Sequence, residues 1–280
     1  MLDKKTIAFL GGGSMAESMI SGVVTAEKML GGQVYVTNKS NADRLMNLRT
    51  KYGVQALPQS ELPFEEIDLF ILAMKPKGAK EALASIKDKL KPNQVILSVL
   101  AGITTDFMEQ HLNDGQQVIR VMPNTSSMIQ ESATAIVAGK NVTKENVELA
   151  TELLECMGQV YIIEEDQMDV FTGLAGSGPA YFYYLMEQME RVGVENGMDE
   201  ENVRKMVAQT IYGAAKMVLD RNEAPSSLRE KVTSPNGTTA SGLEALSRFN
   251  GGEAISQAVQ HAAKRSKEIS KELEDAAVRR

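Results

Sequence analysis

Short apolar runs alternate with amphipathic helical stretches from the start of the chain to residue 163. Runs such as 7–10 (IAFL), 67–73 (IDLFILA) and 94–99 (QVILSV) are short and evenly apolar, which predicts strands buried on both faces of a parallel sheet. Helical stretches lie between them, such as 42–52, which ends at a glycine suited to a C-cap. This alternation predicts an N-terminal Rossmann-like α/β domain with a mostly parallel sheet.

The pattern changes after Glu164, because no convincing strand follows and helical periodicity continues to the end of the chain. We therefore predict two domains, the Rossmann-like domain over residues 1–164 and an all-α domain over residues 165–280. The second domain is rich in Ala, Met and Gly, and small residues permit close helix–helix approach. Two helical hairpins are too little to cover their own apolar faces, so we expect a homo-oligomer; the alternative is a monomeric core.

The first predicted strand runs directly into a glycine-rich turn, Gly11-Gly12-Gly13-Ser14-Met15-Ala16, which opens a predicted helix over residues 15–24. Strand, glycine turn and helix in this order are the setting that a dinucleotide fingerprint requires. The first glycine allows the tight turn, the third lets the backbone approach a pyrophosphate, and free N–H groups at the helix start face the phosphates. We expect Gly11, Gly12, Gly13, Ser14 and Met15 to bind the cofactor; the alternative is a strand-to-helix turn without a ligand.

The end of the second predicted strand, over residues 33–37, bears on cofactor choice. An NAD-preferring fold usually places an acidic residue there to accept hydrogen bonds from the adenosine ribose, whereas this chain has Asn38, Lys39 and Ser40. These side chains, with Arg44 of the next helix, offer donors and positive charge suited to a 2′-phosphate. We predict NADP(H) as the preferred cofactor, with NAD(H) still possible; the alternative is a polar turn with a solvated lysine.

Three further strands end in small or polar turn clusters, and the carboxyl ends of parallel strands form the ligand crevice of such a sheet. The small residues after the strand at 94–99 suit close backbone approach to a nicotinamide ring. Lys75 could touch the cofactor ribose or act in catalysis, or it could be a lysine at the rim of the site. The expected cofactor contacts at these strand ends are Ala73, Met74, Lys75, Pro76, Ala101, Gly102 and Asn124.

Composition and charge narrow the possible partners. A formal net charge of −7 and a sequence pI near 5.1 argue against a general nucleic-acid or anionic-membrane surface. No apolar run approaches the ~18 residues of a membrane span, and with a strand predicted at once we expect no signal peptide and a cytoplasmic location. The one cysteine, Cys156, excludes an intrachain disulfide and is expected to be inert, and we predict no metal site.

A second informative stretch lies at residues 233–242 and reads TSPNGTTASG. Its residues are mostly small or hydroxylic and precede a helix predicted to begin near residue 240. Backbone N–H groups and hydroxyl donors at such a position can hold a carboxylate without an arginine. The alternative is a capped turn between two helices.

Five stretches taken together resemble the pyrroline-5-carboxylate reductase family: the glycine turn, AMKP at 73–76, VMPNT at 121–125, TGLAGSGPAY at 172–181 and VTSPNGTT at 232–239. The resemblance runs from residue 6 to about residue 273. The TGLAGSGPAY and SPNGTT blocks are much more specific than the glycine turn. The chain departs from the family pattern at Asn38-Lys39-Ser40, which leaves cofactor preference open, and at Asn236, where many members have glycine.

The resemblance implies reduction of L-1-pyrroline-5-carboxylate to L-proline by NAD(P)H, the last step of proline biosynthesis. It also implies a Rossmann domain followed by a helical dimerisation domain, with dimers often assembled into decamers. The substrate, a cyclic imine carboxylate, would lie with its carboxylate against Ser234, Gly237, Thr238 and Thr239 of the partner subunit. The Thr239 hydroxyl would point at the ring nitrogen, which makes it the expected catalytic residue.

Two other interpretations remain at this stage. A β-hydroxyacid or 6-phosphogluconate-type dehydrogenase shares the two-domain plan but needs a lysine base in the helical domain, and Lys205, Lys216 and Lys231 are not compelling candidates. An NADPH-binding regulatory protein would keep the glycine turn without needing the loop at 233–239. A histidine relay is not expected, because His111 lies on a predicted surface helix and His261 in the last helix.

Overall fold

A computed structural model describes residues 1–278 of the chain. Its centre is an eight-stranded sheet with the order β3-β2-β1-β4-β5-β6-β7-β8. Neighbouring strands are parallel except β6 and β7, which are antiparallel, so the predicted mostly parallel Rossmann-like sheet is confirmed. The strands are β1 Ile7–Leu10, β2 Val34–Thr37, β3 Gln55–Ala56, β4 Leu69–Leu72, β5 Val95–Ser98, β6 Gln117–Met122, β7 Ser132–Ala138 and β8 Gly158–Ile162.

Helices follow most of the strands and then make up the rest of the chain. They are α1 Ser14–Thr25, α2 Ala42–Tyr52, α3 Ala79–Lys87, α4 Thr105–His111, α5 Lys144–Glu155, α6 Met168–Phe171, α7 Gly178–Glu195, α8 Glu200–Arg221, α9 Pro225–Lys231, α10 Thr238–Arg248 and α11 Gly251–Val278. A π-helical turn, Thr172–Gly176, follows α6 directly. Within the described part of the chain, none of these helices is both long and apolar enough to span a bilayer.

Alternate residues of the central strands supply the two hydrophobic layers of the sheet. Ile7 and Phe9 of β1 face a core that includes side chains of α1, α2 and α5. Ala8 and Leu10, which point to the other face, pack in a core with side chains of α3 and α4. Both sets are buried, which explains why β1 and its neighbours are apolar without alternation.

The chain divides into two compact units, one formed by Met1–Ser177 with the chain from His261 onward and one by Gly178–Gln260. The first unit contains the sheet. The second is helical, and its buried apolar side chains are few, with Val203 and Val207 among them. Several of its large apolar side chains are exposed instead, including Phe182, Tyr183, Tyr184, Met206, Tyr212 and Leu219. The domain boundary at 164/165 stays a prediction, and the last two residues of the predicted 165–280 domain lie outside the described residues.

Candidate active site

The glycine turn between β1 and α1 requires glycine at its first position. Gly11 has a φ of +118°, and a Cβ atom there would lie 2.5 Å from the carbonyl oxygen of Ala73. That oxygen belongs to the end of β4, beside β1, where the Ala73 N–H donates to the Leu10 carbonyl at 3.0 Å. The turn can therefore pass this close to the neighbouring strand only if residue 11 has no side chain.

Gly13 is the N-cap of α1, and its surroundings are open, because a Cβ atom there would meet nothing nearer than Ala73 O at 3.9 Å. The first N–H groups of an α-helix have no acceptor within the helix, and they carry the positive end of the helix dipole. Gly13 and Ser14 are exposed and Met15 is half-buried. The backbone at Gly13 is open to a ligand, and the first N–H groups of α1 are free to donate hydrogen bonds. Such a turn fits the pyrophosphate of a dinucleotide.

The end of β2 has no carboxylate. Asn38 folds back on its own turn, since its Oδ1 accepts hydrogen bonds from the N–H groups of Ser40 and Asn41, both at 3.2 Å. Lys39 and Ser40 are exposed. These three residues stay predicted contacts of a 2′-phosphate. Arg44 points elsewhere: its guanidinium donates to the Gly12 carbonyl oxygen at 2.8 Å.

The ends of β1, β4, β5 and β6 lie side by side, because these strands are neighbours and parallel in the sheet. The residues after β4 form a 3-10 turn with Lys75 as N-cap and Pro76 first, and Lys75 is exposed. Ala101, after β5, is also exposed. Ala73, Met74, Lys75, Pro76 and Ala101 therefore share one edge of the sheet with the glycine turn, where they stay predicted cofactor contacts.

Gly102 packs closely against α11, a contact that the sequence alone does not reveal. It has a φ of +78°, and a Cβ atom there would lie 3.0 Å from Leu273 Cδ1 and 3.1 Å from Ile269 Cγ2 of α11. The neighbouring Thr104 hydroxyl donates to Glu274 of the same helix at 3.2 Å. Close packing by α11 accounts for glycine at this position, so the expected nicotinamide contact of Gly102 stays a prediction.

Asn124, after β6, is largely occupied by structural hydrogen bonds. Its Oδ1 accepts from the Ser126 N–H at 2.9 Å, and its Nδ2 donates to the Ala175 carbonyl at 3.0 Å. Ala175 lies in the π-helical turn, and such turns often occur at functional sites. Asn124 thus holds the TGLAG segment against the end of β6, and its predicted cofactor contact stays a prediction.

The hydroxyl-rich loop forms the turn between α9 and α10. Asn236 takes the left-handed conformation (φ +58°), and the Gly237 N–H donates to the Ser234 carbonyl at 3.0 Å. Gly237 is the N-cap of α10, and a Cβ atom there would lie 2.4 Å from Ser234 Oγ. Thr238 and Thr239 are the exposed first two residues of the helix, so hydroxyls and free N–H groups share one end of it.

The three lysines considered for a base all lie in exposed ion pairs on the helices of the second unit. Lys205 pairs with Glu201 at 2.6 Å, Lys216 with Asp220 at 3.2 Å, and Lys231 pairs with Glu223. A lysine base would have to face the nicotinamide ring, whereas these three side chains bind carboxylates at the surface of their helices. The one cysteine, Cys156, is buried, and burial raises the pKa of its thiol, which favours the unreactive protonated form.

Sequence reasoning missed two charged clusters in the first unit. Glu17 of α1 binds Arg44, Lys51 and Tyr52 of α2. The nearly buried Arg120 of β6 pairs with Glu165, which also accepts hydrogen bonds from the N–H and hydroxyl of Thr105. The only local signal for either cluster is a polar residue in an apolar stretch, as with Arg120 between Ile119 and Val121.

Two family models match the chain. One, described as pyrroline-5-carboxylate reductase dimerisation, matches residues 165–269. The other, described as NADP oxidoreductase coenzyme F420-dependent, matches residues 6–102. A relative from Bacillus subtilis (strain 168), pyrroline-5-carboxylate reductase 1, is 57% identical over 277 residues, covering 99% of this chain and 93% of that protein.

Solved structures give the same result. A pyrroline-5-carboxylate reductase from Coxiella burnetii superposes with a TM-score of 0.89 and 32% identity, covering 95% of this chain and 98% of that one. The pyrroline carboxylate reductase of Plasmodium falciparum, solved with NADP bound, superposes with a TM-score of 0.85 and 25% identity, covering 96% and 100%. Both likenesses extend over the sheet and the helical region.

Proposed function

This chain belongs to the pyrroline-5-carboxylate reductase family, and we propose that it reduces L-1-pyrroline-5-carboxylate to L-proline with NAD(P)H. The observation that carries the proposal is the loop before α10, which presents the hydroxyls of Thr238 and Thr239 together with free helix N–H groups. Such a group of donors suits a small ring that bears a carboxylate and a polar nitrogen.

The glycine turn would hold the dinucleotide, which supplies a hydride from its nicotinamide ring. Gly11 permits the tight turn, Gly13 would let the backbone come close to the phosphates, and the start of α1 offers N–H donors to them. Lys39 and Ser40, exposed at the end of β2, support a preference for NADP(H) over NAD(H). The structure of the Plasmodium relative with NADP bound supports NADP(H) as a cofactor.

The chain's own contribution to the reaction is to orient the substrate and to assist protonation of its nitrogen. Ser234, Gly237 and Thr238 would bind the carboxylate through hydroxyl and N–H donors, which fixes the ring in one orientation. Thr239 would hydrogen-bond the ring nitrogen through its hydroxyl, donating to the neutral imine and accepting from the N–H once the nitrogen is protonated. An imine nitrogen is basic enough to arrive protonated or to take a proton from a hydroxyl or water, so no strong side-chain acid is required.

The surface of the second unit indicates how the protein assembles. The second unit exposes many large apolar side chains, and it lies within the segment that matches a dimerisation domain. We therefore infer a homo-oligomer in which the loop before α10 completes the site at the cofactor of a partner subunit. We also propose that dimers assemble into decamers and that the protein is cytoplasmic.

The proposal is tested by following NADPH oxidation with L-1-pyrroline-5-carboxylate, repeated with NADH and with product analysis for proline. Turnover with both reductants and a higher kcat/KM for NADPH is expected. Oxidation of 3-hydroxyisobutyrate with NADP, without reduction of the cyclic imine, would instead favour a β-hydroxyacid dehydrogenase. Cofactor binding without turnover of any cyclic imine would favour a regulatory protein.

A further inference from the structure

Arg44 of α2 lies behind the glycine turn and contacts its carbonyl groups. Its Nε–H donates to the Gly12 carbonyl oxygen at 2.8 Å. Its Nη2 donates to Glu17 of α1 at 2.5 Å and reaches the Gly13 carbonyl oxygen at 3.5 Å. One guanidinium thus joins the glycine turn, the first turns of α1 and the helix α2.

Glu17 keeps this guanidinium in place. Besides Arg44, its carboxylate accepts hydrogen bonds from Lys51 Nζ at 3.0 Å and from the Tyr52 hydroxyl at 3.1 Å. The donor from Lys51, followed by those from Arg44 and Tyr52, lowers the pKa of Glu17 to about 2, so the carboxylate is charged at neutral pH. Arg44 therefore has a permanent counter-ion on the helix that the glycine turn opens.

Because peptide groups are planar, holding the carbonyl groups of the turn also fixes the direction of the N–H groups that would face the phosphates. The carbonyl of Gly12 and the N–H of Gly13 belong to one planar trans peptide group and point in opposite directions. When Arg44 holds the Gly12 oxygen toward α2, the Gly13 N–H must point away from α2. The Gly13 oxygen and the Ser14 N–H are related in the same way, and the Glu17 N–H also holds the Gly13 oxygen, at 3.0 Å.

We propose that Arg44 is a positioning residue that fixes the phosphate-binding peptide groups for both nicotinamide cofactors, and that it is not a ligand of the 2′-phosphate. This inference rests on the proposed function, in which the turn binds a dinucleotide. Two of the nitrogens of Arg44 already donate to carbonyl and carboxylate oxygens, and releasing them would leave Glu17 with one donor fewer and the turn unsupported. Lys39 and Ser40 remain available for the 2′-phosphate.

The experiment measures dissociation constants of NADPH and NADH directly, by titration calorimetry on the full-length protein without substrate. Arg44→Met should weaken both cofactors by a similar factor, about tenfold for the loss of a charge-assisted contact, with the NADPH/NADH affinity ratio changed by less than about twofold. Arg49→Met, on the exposed side of the same helix, is the matched control and should bind both cofactors as the wild type does. Lys39→Met should weaken NADPH alone.

Two further variants separate positioning from general damage to the fold. Glu17→Gln keeps the shape of the side chain but removes the charge, and it should weaken both cofactors in the same proportion, though less than Arg44→Met. Adding Glu17→Gln to Arg44→Met should cause little further loss of cofactor affinity, because the two residues act through one contact. Arg44→Lys keeps the charge but cannot reproduce the two-nitrogen contact, so its cofactor affinities should lie between those of the wild type and Arg44→Met.

Loss of NADPH affinity alone in Arg44→Met would overturn the inference and make Arg44 a 2′-phosphate ligand. Unchanged affinity for both cofactors would also overturn it. If Arg44→Met does not fold, the same two criteria apply to Glu17→Gln and Arg44→Lys. Failure of the proposed function would look different, because the wild-type protein would then bind neither cofactor or would bind both without reducing the imine.

Discussion

The carbonyl oxygen of Ala73 occupies the space that a side chain on Gly11 would need, since a Cβ atom at residue 11 would lie only 2.5 Å from it. Gly11 and Ala73 directly follow the adjacent parallel strands β1 and β4, so neither backbone can move aside without disturbing the sheet where the turn begins. The shape of the glycine turn therefore depends on the pairing of these two central strands.

Gly11→Ala tests this relationship. The left-handed φ and the contact with Ala73 together should cost about 3 kcal/mol, and we expect NADPH affinity to fall by about a hundredfold. Titration of NADPH against the purified variant measures it, alongside thermal unfolding. Gly32→Ala is the matched control, because a Cβ atom there meets nothing within 4 Å. Wild-type affinity in Gly11→Ala would show that the turn adapts.

Thr239→Val removes the proposed hydrogen bond to the ring nitrogen and keeps the shape of the side chain. We expect NADPH affinity to be unchanged and turnover to fall by about 10²–10⁴-fold, as for loss of a group that assists proton transfer. Steady-state kinetics with pyrroline-5-carboxylate and a separate NADPH titration measure the two effects. Thr239→Ser, which retains the hydroxyl, should restore most of the turnover. Unchanged kcat in the valine variant would rule out the role.

The charge of Glu17 makes stability depend on acid pH. Its pKa is lowered from 4.5 to about 2 in the folded protein, chiefly by Lys51. A lowered folded-state pKa means that its contribution to stability is complete above pH 4.5 and is lost as the pH falls toward 2. The difference in free energy of unfolding between the wild type and Glu17→Gln should therefore be constant near neutral pH and shrink between pH 4.5 and 2.

Urea unfolding of both proteins at neutral pH and at several values within that window measures this difference. Glu61→Gln, a substitution of an exposed glutamate, should show no comparable dependence relative to the wild type. A Glu17→Gln difference that stays constant down to pH 3 would contradict the assigned ion pairs.

Glu165 is the counter-ion of a buried arginine. The Arg120 side chain is only 3% exposed, and its Nη2 has no hydrogen-bond partner among the described residues, so Glu165 carries the pairing. Glu165→Gln should lower the free energy of unfolding by about 3 kcal/mol, because it leaves a buried charge without compensation. Denaturant unfolding measures it. Asp166→Asn, at the exposed neighbouring residue, should be nearly neutral, and equal effects of the two substitutions would argue against the buried pair.

Most of the fold could be predicted from the sequence because the buried strands are continuous apolar runs that end at turn residues. The helix Ala42–Tyr52 and its C-cap at Gly53 agree with the prediction, because the helical spacing of apolar residues and a C-terminal glycine act locally. Local pattern could not reveal the two-residue strand Gln55–Ala56, which is too short to carry a period. It also could not show that β6 and β7 are antiparallel, because strand direction depends on the path of the chain.

The sequence explains a residue of the candidate site where a motif has a single conformational reason, as at Gly11, whose glycine turn requires a positive φ. The sequence could not explain a residue whose role depends on a contact with a segment far away in the chain. Gly102 packs on α11, Asn124 bonds to Ala175 and Arg44 supports the glycine turn, and each of these contacts joins segments far apart in sequence. A polar or small residue in the sequence indicates a constrained position, but only the fold identifies the constraint.

Transfer of an isotope from the cofactor shows whether hydride is delivered to a cyclic imine carboxylate. The protein is incubated with pyrroline-5-carboxylate and NADPH carrying deuterium at the transferring C4 position, and the product is analysed by mass spectrometry and NMR. We expect one deuterium per proline, on the ring carbon next to nitrogen that was the imine carbon, and far slower formation of this product with Thr239→Val. Cofactor oxidation without labelled proline would contradict this expectation.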